Sequence, residues 1–197
     1  MAIKETPQWR QWLSEKLNPA QASIASLEPF ASPDNIVEYE QAYREIEIVH
    51  RAIDLVVNAC AEIPFIVEGT GPAKKVNKIL NLKPNPFEDR VRLFRRAFLD
   101  FMLDGNAFFY YDGNDLYVLP ANDVEVVPDP KTFVSHYNYL VSNQRSSDLF
   151  GYGKHTRKSD AIRFEAHEII HIMAENDESI FRGVSKIKSI IRLIELY

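Results

Sequence analysis

Apolar residues repeat along this chain with two different periods. Up to about residue 104 they recur every three or four positions, and between about 106 and 173 they alternate or form short β-branched and aromatic runs. Tyr39, Ala42, Tyr43, Ile46, Val49, Ile53, Val56, Val57 and Cys60 fall on one stripe. That stripe predicts a helix over 38–63, about 39 Å long, stopped by Pro64. Residues 65–67 read as a short strand, Gly69 to Gly71 as a turn, and Pro72 as the start of a small helix ending near Leu82. The next helix is the best delimited, over 86–104. Asn85 is its expected N-cap, Pro86 its first position, and Glu88 the partner in an N-x-x-E capping box. Val91, Phe94, Ala97, Phe98, Phe101 and Met102 form its apolar face, and Gly105 stands where a left-handed C-terminal cap is wanted.

Behind Gly105 the period changes to two. Strands are expected at 106–111, 115–119, 124–127, 137–142, 160–165 and 168–173, with Asp112-Gly113 turning the first hairpin. Residues 143–159 read as a polar loop. From Gly183 or Ser185 a last helix begins, carrying Val184, Ile187, Ile190, Ile191 and Ile194, and no Gly or Pro stops it before Tyr197. The fold class this implies is α+β. Helices of the N-terminal half pack on a mostly antiparallel β-sheet or small barrel, and the chain ends in a helix that looks cut in mid-pattern. Residues 1–37 are expected to form an extended arm with Pro19, Pro29 and Pro33, 38–183 the α+β domain, and 184–197 the start of the last helix. In the arm, Trp9 and Trp12 are candidates for docking on a neighbouring subunit, because tryptophan is enriched at interface cores.

Composition narrows the picture. With 197 residues and 46% hydrophobic positions, the chain can bury one substantial core. Its single cysteine, Cys60, offers no disulfide framework, suits a reducing cytosol, and is expected as a buried thiol. No apolar run approaches the ~18 residues needed to span a bilayer, so no membrane partner is expected, and the first residues lack a basic-then-apolar secretion pattern. A net charge of −5 argues against gripping nucleic acid through phosphate contacts.

One motif invites a catalytic reading. His167-Glu168-Ile169-Ile170-His171 satisfies H-E-x-x-H, the zinc hydrolase signature, in which both imidazoles bind the metal and the Glu acts as general base. That chemistry needs a helix, because i, i+4 spacing brings the two rings to one face. Here β-branched Ile169, Ile170 and Ile172 favour a strand, where the two histidines would stand about 13 Å apart. The zinc hydrolase is therefore kept only as an alternative, beside an α+β interaction module. Gly69-Thr70-Gly71 lacks the frame of a P-loop. Arg90, Arg92, Arg95 and Arg96 cluster on the 86–104 helix and read either as a solvated face or, for Arg92, Arg95 and Arg96 above all, as cations that bridge to another subunit. The basic loop 154–158 reads as solvated, with contact to DNA or a partner as its functional alternative. No catalytic, metal or cofactor-binding residue is assigned, and no cofactor is expected.

Several of these segments, taken in order, resemble the portal proteins of tailed bacteriophages, the HK97-like group. The elements are Pro84-Asn85-Pro86 opening a helix, Gly105-Asn106-Ala107 with aromatics closing it, Leu119-Pro120, Val124-Glu125-Val126, Glu168 to Ile172, and Gly183-Val184-Ser185 before a helix. The resemblance covers roughly residues 40 to 197. It implies a non-enzymatic structural protein: a ring, usually a dodecamer, at one capsid vertex of the virion, assembled in the host bacterial cytoplasm. Such a ring passes double-stranded DNA inward in packaging and outward at ejection, and forms the head-to-tail joint. The partners it implies are further copies of itself, the major capsid protein, the terminase motor that hydrolyses ATP, a head-completion or tail adaptor protein, and the DNA. It also implies structural roles for Asn85, Pro86, Glu88, Gly105, Asn106 and Gly183, and a stem region beyond the last helix.

Overall fold

The computed structural model describes residues 30–31, 36–69, 71–129, 131–140, 161–177 and 179–190. Four helices come first: α1 (Ile36–Glu45), α2 (Glu47–Glu62), α3 (Ala73–Asn81) and α4 (Arg90–Leu103). Six strands follow: β1 (Asn106–Tyr111), β2 (Leu116–Leu119), β3 (Val124–Asp129), β4 (Phe133–Leu140), β5 (Ala161–Glu165) and β6 (Ile169–Met173), with a 3₁₀ turn at Ala121–Asp123 before β3. The strands form two three-stranded antiparallel sheets, ordered β2-β1-β6 and β3-β4-β5, and among the described residues no barrel closes. The α+β reading stands and the barrel option does not.

The layers follow from which faces are apolar. Strand β1 carries Ala107 and Phe109 on one face and Phe108 on the other, all buried. Ala107 and Phe109 pack with Leu93, Phe94 and Ala97 of α4. Phe108 packs with Val124, Val126 and Tyr137 of the other sheet. The β2-β1-β6 sheet is thus the middle layer, which is why β1 reads as an unbroken aromatic run rather than an alternation. On its opposite side α4 meets α2 through a cluster that includes Val49, Ile53, Val57, Leu103 and Ile187.

Three local expectations are corrected. The single helix over 38–63 is two helices, because Ile46 takes an extended conformation with φ −100° and ψ 104°. The Tyr43 carbonyl freed there lies 3.0 Å from His50 Nδ1, the two rings stack with centroids 4.5 Å apart, and the Tyr43 hydroxyl donates to Asp54 at 2.7 Å. The break lets Tyr39 and Ala42 of α1 share one core cluster with the inner face of α2. The strand expected at 65–67 does not form, because the side-chain amide of Asn81 takes both the N–H and the carbonyl of Phe65 at 2.8 Å each. Cys60 is half-buried rather than buried.

The start of α4 is also displaced. Asn85 is buried, but its Oδ1 accepts from the N–H groups of Phe87 and Glu88 at 2.9 Å each, while its Nδ2 donates to the Leu116 carbonyl at 2.9 Å. Asn85 therefore closes a turn and pins it to β2, Pro86 lies in that turn, and Glu88 makes no capping box. Asp89 is the N-cap, accepting from Arg92 N at 2.8 Å. Residues 188–190 are helical, so the last helix opens a few residues after Gly183; residues 191–197 lie outside the described residues.

Two glycines and one phenylalanine mark backbone that other residues would resist. Gly105 has φ 87°, and a Cβ there would stand 2.5 Å from the Val184 carbonyl oxygen. Gly183 has an ordinary φ, and what excludes a side chain is crowding: a Cβ would stand 2.6 Å from Ala174 N and press on the Gly105 carbonyl. Gly183 thus permits a close crossing of two backbones rather than freeing a turn. Phe133, exposed at the β3–β4 hairpin, has φ 71°, a conformation costing an L-residue about 1–2 kcal/mol. In urea denaturation, Phe133→Gly is expected to raise stability by about 1 kcal/mol. Gly105→Ala should lower it by on the order of 3 kcal/mol, because strain and collision act together.

Candidate functional site

The polar chemistry of this chain is concentrated where α4 hands over to β1. Asp104 ends the helix, Asn106 begins the strand, His171 lies opposite on β6, and Arg182 arrives from the segment after it. Arg182 Nη2 donates to Asp104 Oδ1 at 2.6 Å and to the Ala121 carbonyl at 3.0 Å, and Nη1 donates to the Val124 carbonyl at 2.7 Å. Both charged residues are buried, 5% and 1% exposed. Asn106 Nδ2 donates to Asp104 Oδ1 at 2.6 Å, and its Oδ1 accepts from Gly183 N at 2.8 Å and from His171 Nε2 at 3.0 Å. The His171 proton is assigned to Nε2 because an amide oxygen can only accept. Phe108 lies against both neighbours, with the His171 ring stacked at 4.2 Å and the Arg182 guanidinium 5.4 Å from its centroid.

This arrangement sets protonation. Burial, and then the charge of Arg182, push His171 down to about 4, against the pull of Asp104. Asp100, one turn before the helix end, is pushed up to about 7 by burial. The Ala121 N–H and Arg96 oppose that rise, while Asp104 and Glu40 add to it. The site is thus a clamp built on a buried ion pair, with a neutral, partly buried imidazole beside it.

The H-E-x-x-H motif does not assemble. His167 lies exposed in the β5–β6 turn and His171 lies in β6 against Asn106, so the two imidazoles share no helix face. Glu168 accepts from Glu165 N at 2.8 Å. Among the described residues no group of three or more His, Cys, Asp or Glu side chains could hold a metal ion.

The arginine row divides. Arg95 is spent within the chain, donating to Asp54 at 2.9 Å and Asn58 at 2.8 Å on α2. Arg96 pairs with Glu88 at 2.7 Å and donates to the Val118 carbonyl at 2.9 Å. Arg92 faces solvent. Trp9, Trp12 and the loop 154–158 lie outside the described residues. Sequence reasoning missed Arg182, and it read Arg90 only as one of the arginine row. Arg90 Nη2 holds the Ala61 and Ile63 carbonyls at 2.8 and 2.6 Å, closing the C-terminus of α2. An arginine beside glycine in an apolar stretch, as in Phe181-Arg182-Gly183, was the available signal for the first.

A helical layer over a central sheet, backed by a second sheet and locked by a buried ion pair, defines a structural module. Residues 47–197 match the phage portal protein family model, and the chain belongs to that family. It is 32% identical over 148 residues to the portal protein of Escherichia phage T5, an alignment covering 69% of this chain and 36% of that protein. Its fold is similar to chains in the neck of a native GTA particle computed with C12 symmetry (TM-score 0.70, 18% identity, 89% of this chain and 45% of that one). It is also similar to chains in the virion of a native gene transfer agent particle (TM-score 0.67, 18% identity, 85% and 43%). The chain therefore spans less than half the length of these relatives.

Two outcomes follow from the clamp. Asp104→Ala should cost about 3–5 kcal/mol in chemical denaturation, because it strands a buried guanidinium. Adding Arg182→Met should cost less than the sum of the two single changes. The pH dependence is the second. From pH 6.5 down to about 4 the unfolded chain protonates residue 171 while the native one does not, so that group makes stability rise with pH and loses its contribution as pH falls. Between 3.8 and about 7 the native chain keeps a proton on Asp100 that the unfolded chain has released, so that group makes stability fall with rising pH. The slopes offset in the native sequence. His171→Gln should expose a downward slope across pH 4 to 6.5 and Asp100→Asn an upward one, each up to about 1.4 kcal/mol per pH unit, read from urea melts at stepped pH.

Proposed function

We propose that this chain is the outer, wing-like part of a portal subunit. Copies of it form a ring, twelve in number, at one vertex of the capsid. The ring conducts double-stranded DNA in during packaging and out at ejection, and carries the head-to-tail joint. The observation that carries this reading is the family match across residues 47–197. The neck with C12 symmetry to which the fold is similar supports the ring.

The role is mechanical rather than catalytic, and a chain of net charge −5 suits a wall past which DNA slides without being held by phosphate pairing. ATP hydrolysis falls to the terminase motor. The major capsid protein surrounds the ring, and a head-completion or tail adaptor protein meets its outer side. Assembly takes place in the host bacterial cytoplasm. The residues before α1 form an arm whose Trp9 and Trp12 dock on the neighbouring subunit, and Arg92, exposed on α4, bridges to that subunit at the rim. Residues 184–197 lead toward the stem.

Electron microscopy of the purified protein, with top views tested for rotational symmetry, checks this. Rings of about twelve subunits around a central hole are expected. A protein that stays monomeric at every concentration would overturn the reading.

A further inference from the structure

Helix α1 is folded back on α2 at a place where the sequence supplies no stop. Between Pro33 and Pro64 there is no glycine or proline, and Arg44, Glu45 and Glu47 around the break are good helix formers. Ile46 stands at the N-cap of α2 without a side-chain hydrogen bond, and isoleucine is among the poorest residues for that position. The apolar stripe also runs through the break without a change of phase, from Tyr39 to Val57.

A sharp kink needs a cause, and here a side chain has entered the hydrogen-bond ladder. A continuous helix would give the Tyr43 carbonyl to the Glu47 N–H. Instead His50 Nδ1 donates to that carbonyl at 3.0 Å, the two rings stack at 4.5 Å, and His50 Nε2 faces Asp54 Oδ2 at 3.4 Å. The Tyr43 hydroxyl closes the corner on Asp54 at 2.7 Å, and Arg95 holds the same carboxylate from α4 at 2.9 Å. In a continuous helix residues 43 and 54 would stand about 16 Å apart along the axis, beyond the reach of that bond. The latch therefore exists only in the folded-back form.

The chain before α1 is fastened as lightly. Phe30 exchanges two backbone hydrogen bonds with Val126, at 2.8 and 2.9 Å, and stacks on Phe181 at 4.9 Å. That pairing cannot lengthen: Pro128 has no N–H, and Val124 gives its N–H to Ala121 and its carbonyl to Arg182. Between the two fastenings, Tyr39 and Ala42 are the only buried side chains among those described on α1.

We propose that α1 is a releasable strap. With the His50 latch closed it lies folded back on α2. With the latch open, residues 36–62 join into one helix about 40 Å long, which moves Tyr39 and Ala42 out of the core and carries the residues before α1 with them. Local sequence favours the joined helix and tertiary contacts favour the corner, so the latch decides between two defined forms. The assignment does not depend on the ring reading.

Spin labels at Glu38→Cys and Leu55→Cys in a Cys60→Ala background separate the two forms, because the label sites stand about 26 Å apart in a continuous helix and closer in the folded-back one. The wild-type latch should give the shorter distance. His50→Ala should bring the longer one to at least about a tenth of the molecules, with no loss of helix by circular dichroism. Tyr43→Phe, which keeps the ring stack and removes only the bond to Asp54, should shift the balance the same way by less. Adding Ile46→Asn to His50→Ala supplies a local N-cap at the break and should restore the shorter distance. Two results would overturn the proposal: His50→Ala showing the short distance alone, or a broad distribution with helix lost, which would mean that α1 melts instead of joining α2.

Discussion

The buried pair between Asp104 and Arg182 is the constraint around which the rest is arranged. An aspartate at the C-terminal end of a helix opposes the helix dipole, and a guanidinium out of water is costly unless its donors are directed at acceptors. Each relieves the other's cost, with only the Nε of Arg182 in this pair left without an acceptor among the described residues. Asp104 faces a positive charge, and Arg182 adds the carbonyls of Ala121 and Val124. Those acceptors belong to the helix end, the 3₁₀ turn and the start of β3. Residues 78 apart in sequence therefore fix where the helical layer stops and where the second sheet begins. Asn106 extends the lock to β6 through His171 and to the backbone of Gly183.

Burying that cluster has consequences for packing. Gly105 and Gly183 let two backbones cross closely beside it, with Ala174 N donating to the Gly105 carbonyl at 2.8 Å. Phe108 closes the cluster from the sheet side and joins it to the core between the two sheets. A desolvated, directional network resists sliding of one layer over another better than apolar contact alone, because apolar burial has no preferred direction. Arg90, Arg95 and Arg96 work in the same sense, each tying α4 to a neighbouring element.

Much of this was legible in the chain itself. The strands at 106–111, 116–119 and 169–173 follow from β-branched and aromatic runs bounded by turn residues. Gly105 was legible because a left-handed cap tolerates few other residues. The errors share one cause. Asn85 and Asp89 are both competent N-caps, and the Leu116 carbonyl decided between them. Ile46 sits in an unbroken helical pattern, yet the helix breaks there so that both halves can reach one core. Residues 65–67 look like a strand, but an asparagine side chain sixteen positions away takes their hydrogen bonds. The arginine row could be read as solvated or interfacial, and nothing in the local spacing showed that Arg95 would reach Asp54 and Asn58 on α2 or Arg96 the Val118 carbonyl on β2, both side chains staying partly exposed.

By itself, then, the sequence determined the period of each segment, the fold class, the family and the left-handed cap at Gly105, because these depend on residue type and on neighbours a few places away. Tertiary structure decided which cap closes α4, where the first helix breaks, that His171 bonds Asn106 instead of sharing a metal with His167, and that a close backbone crossing demands glycine at 183. Each of those outcomes depends on a partner far along the chain. Local spacing carries no information about which distant carbonyl or carboxylate will arrive, and a buried polar group takes the conformation that satisfies it.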